Sequence, residues 1–353
     1  VSRENAEGKV SEAITYADAG VDRQRAAEAK AGLAQLGAAT AVPGVVGAIG
    51  GFAGLFAVPP GMKQPLLVSG CDGVGTKLRV AIEVGRHNTV GIDLVAMCVN
   101  DVLCSGAKPL FFLDYFATGH LEPEVVRQLL AGIAEGCRRA GCALLGGEMA
   151  ELPGLLRQGD YDLAGFAVGA VEADALIDGR AVRPGMALLG LASSGLHANG
   201  FALARKVLLE VGGLDLRGPS VGGQHSDLAD ELLEPTLLYS AAVQTLLAQG
   251  FELAALAHIT GGGLAENLAR VMPPGCQAQL RRGSWPEPAL LAAMARLGVA
   301  DAELIRVFNL GIGFVAVLAG DQVPAAQTSL AQVGYQSYLI GDVATGPQGC
   351  TWR

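Results

Sequence analysis

The sequence predicts an α/β protein of two domains, and three observations carry that prediction. The chain has 353 residues, room for two cores at ~100–200 residues each. Strand-like and helix-like segments alternate from Leu66 onward, the pattern of sheets covered by helices. Glycine occurs 50 times, about twice the usual ~7%, and with no Gly-X-Y period it marks tight turns and close backbone approaches. Hydrophobic residues make up 51% and charged ones 17%, which excludes a disordered chain. The formal charge of −9, from 25 basic and 34 acidic residues, argues against a nucleic-acid binder, because that function needs a basic surface to displace phosphate counterions.

The first domain is drawn over residues 1–172 and the second over 173–353. Ala41–Met62 carries no charge, three prolines and six glycines; a lipid-exposed helix could not satisfy that backbone, so it reads as a glycine-rich strand and loop. Leu66–Val68 is a short aliphatic strand ending in the turn Gly70–Gly75. Ile92–Cys104 has helical spacing, and Pro109–Phe116 is an aromatic-rich strand. Glu122-Pro123 opens a helix whose apolar face is Val126, Leu129, Leu130, Ile133 and Cys137, closed by Gly141. Ala143–Leu145 and Leu163–Val171 follow as strands, and the charged, turn-rich Glu172–Pro184 ends the domain. The second domain has strands at Ala187–Ala192 and Gly313–Leu318, helices at Phe201–Val211 and Asp230–Ala248, and an exposed loop at Gly212–Asp227.

The seven cysteines are odd in number and lack any C-x-x-C pair. They read as reduced, buried thiols rather than zinc ligands. The polar start shows no charged-then-apolar signal pattern, so the expectation is a cytoplasmic protein without a membrane span.

Five stretches carry chemistry. Gly70–Lys77, reading GCDGVGTK, exposes backbone N–H groups that can line a phosphate, with Lys77 as a point charge and Asp72 able to hold Mg²⁺. It is neither a P-loop nor a full G-x-G-x-x-G, and an ordinary tight turn is the competing reading. Within Gly91–Gly106, Asp93 and Asn100 lie about 20° apart around a helix and about 10 Å along it, with Asp101 about 80° round. The flanks are too apolar for a solvated face, and that separation suits several ions or a triphosphate. Glu148, in Gly146–Gly154, sits just past a buried strand, where α/β folds place ligands. His197, in Ser193–Gly200, reads either as a base or phosphate donor or as a histidine of a helix start. Thr260-Gly261-Gly262-Gly263 precedes a helix near Leu264, an arrangement that can bind an anion or serve as a flexible cap.

In order, TYADAGVD (15–22), GGFAGLF (50–56), SGCDGVGTKLR (69–79), GIDLVAMCVNDVLCSGAKPLFFLDYFATG (91–119), GGEMAELPG (146–154), SSGLHANG (193–200), ITGGGLAENLARV (259–271) and FNLGIGF (308–314) closely resemble the phosphoribosylformylglycinamidine cyclo-ligase family, the AIR synthetases. The resemblance runs from about Thr15 to Asp342. Cys71, Met149, Ala198 and Phe314 depart from the family's usual residues. The resemblance implies two α/β domains of the AIR-synthetase-like ATP-binding superfamily. It further implies a first-domain sheet that forms a barrel-like homodimer interface, with ATP in the cleft beside it. It also implies the reaction: formylglycinamidine ribonucleotide and ATP give aminoimidazole ribonucleotide, ADP and phosphate. In that reaction ATP phosphorylates the amide oxygen, and the amidine nitrogen closes the ring and expels phosphate.

On that resemblance, Asp72, Asp93, Asn100 or Asp101, and Glu148 are expected on the Mg²⁺ side, and Gly50, Gly51, Gly73, Gly75 and Lys77 on the ATP phosphates. Thr260, Gly261, Gly262 and Gly263 are expected on the substrate 5′-phosphate or part of ATP. His197, Lys77 and Asp93 are the catalytic candidates. The alternatives are a sister kinase of the same superfamily, such as thiamine-monophosphate kinase, and a non-catalytic nucleotide-binding module.

Overall fold

A computed structural model describes residues 15–16 and 18–353; residues 1–14, and Ala17 of the 15–22 motif, lie outside the described residues. Two short helices, α1 (Arg23–Ala29) and α2 (Leu33–Ala39), precede a hairpin of β1 (Val45–Val46) and β2 (Leu55–Phe56). The uncharged Ala41–Met62 stretch is thus a hairpin with loops, and among the described residues no helix is long and apolar enough to cross a membrane. Then come β3 (Pro65–Gly73), α3 (Lys77–Val84), α4 (Asn88–Leu103), β4 (Lys108–Thr118), α5 (Pro123–Ala140), β5 (Ala143–Glu151) and β6 (Tyr161–Glu172). The sheet order is β3-β6-β4-β5, with only β4 and β5 parallel.

α4 is the hub. Thirteen of its sixteen residues are buried, because it meets the first sheet, α5 and the second domain at once. It reaches α5 by direct backbone approach: a Cβ on Gly132 would stand 1.8 Å from the carbonyl oxygen of Asn88. α5 itself opens with proline in its first turn and closes on Gly141 at φ 73°. The opposite face of the sheet carries Leu67, Phe166 and Tyr115, which are 65, 42 and 37% exposed.

The second domain holds β7 (Ala187–Ala192), α6 (Phe201–Arg205), α7 (Leu228–Leu233), α8 (Ser240–Ala248), β8 (Ala255–His258), α9 (Gly263–Ala269) and β9 (Cys276–Leu280). It continues with α10 (Ala289–Arg296), α11 (Asp301–Val307), β10 (Ile312–Leu318), α12 (Val323–Gln332), β11 (Ser337–Thr345) and β12 (Gly349–Trp352). Its six strands run β12-β9-β11-β7-β10-β8, antiparallel except for β12 on β9.

Three expectations are corrected. Gly70–Gly73 is not a turn but the last four residues of β3, paired with Ala164–Ala167 of β6; a Cβ on Gly70 would lie 3.1 Å from the Cys98 carbonyl of α4, so this glycine lets helix and sheet close up. β5 runs on to Glu151, which puts Glu148 inside a strand rather than beyond one. The single helix expected over Asp230–Ala248 is two, parted by the extended segment Glu234–Tyr239, because Pro235 cannot continue α7 and turns the residue before it away from helical angles.

The sequence also hid an acid in the sheet. Asp114, in mid-β4, is 7% exposed, and its Oδ1 would stand 2.3 Å from a Cβ on Gly147, so the second glycine of the Gly146-Gly147 pair leaves room for it. Burial raises its carboxyl to about 7. The unfolded chain gives up this proton from about pH 4, while the folded chain keeps it. The resulting stability is therefore present at low pH and lost as pH rises towards 7, by up to about 1.4 kcal/mol per unit. Asp114→Asn should lose less stability than the parent between pH 5 and pH 7.5 in urea unfolding; an equal loss would show the acid ionised throughout.

Candidate active site between the domains

The acids of the first domain and the loops of the second meet where α4 ends. Asp101 follows Asn100 near the C-terminus of α4 and is half exposed; its Oδ1 lies 2.8 Å from Nδ1 of His258, a buried ring at the end of β8. Asp72, near the end of β3, stands beside this pair. Its Oδ1 accepts from the Gly73 amide at 2.7 Å. Its carboxyl is raised mainly by burial and further by Asp101, against the opposing pull of the Gly73 amide and His258. The far nitrogen of His258, Nε2, is buried without a partner. The chain leaves β8 through Thr260–Gly263, and the Gly261 amide donates to Asn199 Oδ1 at 3.1 Å, tying this loop to the Ser193–Gly200 loop. Asp72, Asp101, His258, Asn199 and the glycine loop therefore gather residues from both domains.

Other expected site residues are placed elsewhere. Lys77 and Asp93 are wholly buried and paired, with Nζ 3.0 Å from Oδ1 and 2.8 Å from Oδ2. Nζ also donates to the carbonyls of His197 at 3.0 Å and Glu234 at 2.7 Å. A lysine has three N–H protons, and all three are engaged within the protein. Burial draws its pKa below the usual lysine value, while Asp93 pulls the other way. Asp93 Oδ1 in turn accepts from Thr236, from its amide at 2.8 Å and its hydroxyl at 2.6 Å. Asn100 donates to the Leu237 carbonyl at 2.8 Å and accepts from the Tyr239 amide at 3.0 Å. The separation read as room for a triphosphate has another occupant. Seven helical residues at 1.5 Å and three extended residues at ~3.4 Å both span about 10 Å, so Asp93 and Asn100 grip the chain's own Thr236–Tyr239.

His197 adopts a left-handed backbone at φ 61° and is 2% exposed, and its Nε2 accepts from the Ser194 amide at 3.2 Å. Burial first, then the nearby His258 and Lys77, hold its pKa well below the usual value. It is a nearly enclosed turn histidine, and its Nδ1 is buried without a partner. Glu148 is exposed on β5, at the opposite edge of the sheet from β3, and its Oε1 accepts from the neighbouring Met149 amide. Gly50 and Gly51 sit in the β1–β2 loop, whose Gly54 packs on Leu145 of β5; Gly73 and Gly75, by contrast, follow Asp72 at the end of β3 and stay beside the cluster, with the Gly73 amide on Asp72 Oδ1. α9 has only seven residues, and the Glu266 carboxylate stands against Gly262. Among the described residues, no group of three or more His, Cys, Asp or Glu side chains could hold a metal ion.

Neither His258 nor Asn199 is among the residues expected from the sequence. The available signal was position: a histidine ending a strand immediately before Thr-Gly-Gly-Gly.

Comparison with known proteins adds the lineage. The profile of AIR synthase related protein, N-terminal domain, matches residues 53–171, and that of the C-terminal domain matches residues 183–351. A phosphoribosylformylglycinamidine cyclo-ligase of Symbiobacterium thermophilum is 52% identical over 343 residues, 95% of this chain and 96% of that protein. The chain belongs to the phosphoribosylformylglycinamidine cyclo-ligase family. The cyclo-ligase of Myxococcus xanthus is 52% identical over 334 residues, covering 94% of this chain and 96% of its own length. More distant likenesses share the cyclo-ligase fold. A thiamine-monophosphate kinase from Stenotrophomonas maltophilia superposes with a TM-score of 0.68 at 20% identity, over 90% of this chain and 94% of its own. The hydrogenase maturation protein HypE in complex with ATP superposes at 0.59 and 18%, over 82 and 79%.

The Lys77–Asp93 pair gives a direct check on this placement. Asp93→Asn keeps the side-chain shape but leaves a buried ammonium without its counter-charge, so stability should fall by about 3–5 kcal/mol in urea denaturation. A loss below ~1 kcal/mol would show that the pair carries little of the interface.

Proposed function

We propose that the cluster of Asp72, Asp101, His258, Asn199 and Thr260–Gly263, where the two domains meet, carries out the ATP-dependent closure of formylglycinamidine ribonucleotide to aminoimidazole ribonucleotide. The observation that carries this reading is the Asp101–His258 contact across the two domains, with Asp72 beside it, in a chain about half identical to cyclo-ligases along nearly its full length. The γ-phosphoryl group of ATP passes to the amide oxygen, which is otherwise a poor leaving group. The amidine nitrogen then attacks the same carbon, the ring closes, and phosphate departs with ADP as the other product. Such transfer asks the protein mainly for positioning and charge neutralisation.

Asp72 and Asp101 are the residues that would hold Mg²⁺. Mg²⁺ suits one or two carboxylates together with phosphate oxygens and waters, rather than an all-protein cage. Burial first, and then the nearby Asp101 charge, raise Asp72, and a cation there would offset both. The ion supplies neutralisation of phosphate charge. With Nδ1 engaged by Asp101, His258 fixes the position of that carboxylate across the two domains. Of the Thr260–Gly263 loop, the Gly261 and Gly263 amides are taken by Asn199 and the Thr260 carbonyl, so the Thr260 and Gly262 amides are the ones that would donate to a phosphate. A thiamine-monophosphate kinase reading has fold likeness alone behind it, at 20% identity.

The exposed Leu67, Phe166 and Tyr115 face is the support for a homodimer, since an apolar sheet face left open invites association. Sedimentation at micromolar concentration should return a dimer, and Leu67→Glu should return a monomer; a monomeric parent would remove the idea. Asp72→Asn and Asp101→Asn should each keep the fold and lower turnover about 10²–10³-fold, measured as ADP released with formylglycinamidine ribonucleotide present. Turnover within threefold of the parent in both would reject this site.

A further inference from the structure

The segment between α7 and α8, Glu234–Tyr239, forms neither helix nor strand, yet Thr236, Leu238 and Tyr239 are buried. Side chains take the place of a backbone partner along it. From the first domain, Lys77 donates to the Glu234 carbonyl, Asp93 accepts from the Thr236 amide and hydroxyl, and Asn100 bonds both Leu237 and Tyr239. From the second, Ser194 Oγ donates to the Pro235 carbonyl at 2.6 Å and Tyr335 Oη to the Leu238 carbonyl at 2.6 Å. A segment of the second domain is thus stitched to α3 and α4 of the first by three buried side chains, Lys77, Asp93 and Asn100, and to its own domain by Ser194 and Tyr335.

This stitching adjoins that site. Asn100 is the residue before Asp101 on α4, Lys77 also bonds the carbonyl of His197, and His197 and Asn199 share the loop that holds Gly261.

We infer that Asn100 and Thr236 are positioning residues: they touch no reactant, and by fixing the extended strap against α4 they set the separation of Asp72 and Asp101 from His258 and Thr260–Gly263. This rests on the active-site reading above. A site assembled from two bodies needs such a fixed spacing, because misplacement by about 1 Å can cost about 10²-fold in rate.

Thr236→Val is the test, because valine keeps the shape of threonine and removes only the hydroxyl bond to Asp93. Assayed at 20 °C, well below its unfolding midpoint, the variant should lose tenfold or more in kcat while the KM for ATP and for formylglycinamidine ribonucleotide moves less than threefold. Thr236→Ser, which restores the hydroxyl, should return kcat to within threefold of the parent. Asn100→Leu should show the same split more strongly; should it fail to fold, Thr236→Val decides alone. A kcat within threefold of the parent in a folded Thr236→Val would overturn the inference, as would a loss that serine does not restore. If Asp72→Asn and Asp101→Asn leave turnover intact, it is the active-site reading that falls; if they abolish it and Thr236→Val does not, only the positioning role falls.

Discussion

Everything in this chain turns on one buried ion pair. Lys77 and Asp93 lie out of reach of water at the seam between two domains, a position that is stable only when every proton and lone pair of the pair has somewhere to go. Lys77 spends its protons on Asp93 and on two carbonyls of the second domain; Asp93 takes both donors of Thr236. Apart from the Lys77–Asp93 contact itself, which lies within the first domain, each of these bonds requires the other domain to be in place. The pair therefore ties the folding of the interface to the register of the domains, and it does so with groups whose burial would be prohibitive in any other arrangement.

That constraint explains why α4 is so apolar and still carries acids. A helix enclosed on all sides needs an apolar surface, and Asp93 and Asn100 interrupt it only where an extended chain offers amides and carbonyls at matching intervals. Asp101, one position on, escapes the strap and reaches His258 instead. Three polar residues of one helix thus divide between two contacts: Asp93 and Asn100 hold the extended segment, and Asp101 meets a histidine of the second domain. The same economy recurs in the sheet, where Gly147 is small because Asp114 lies above it.

The first sheet shows a comparable division between its faces. One is closed by α4 and α5, with Gly132 bringing the two helices to backbone contact. The other leaves Leu67, Tyr115 and Phe166 open, so the apolar character of the β3, β4 and β6 sequences serves two surfaces rather than one core.

How much of this was legible depended on range. The alternation of strands and helices, the Pro-capped α5 with its apolar stripe, and the membership carried by eight ordered motifs were readable from the sequence, because each rests on neighbours within a few turns of chain. The polarity of α4 was read correctly too, down to the 10 Å between Asp93 and Asn100. What could not be read was the occupant of that gap, because an extended peptide and a triphosphate ask for the same spacing, and the peptide lies 143 residues away from Asp93. The same limit hid His258, whose partner Asp101 is 157 residues distant, and exiled Glu148 and the Gly50–Gly51 loop to the far edge of the sheet. Local sequence determined which elements form and which family they belong to; only the tertiary structure decided which charges are consumed inside the protein and which are left for a ligand, because a charge's role is set by what reaches it in space.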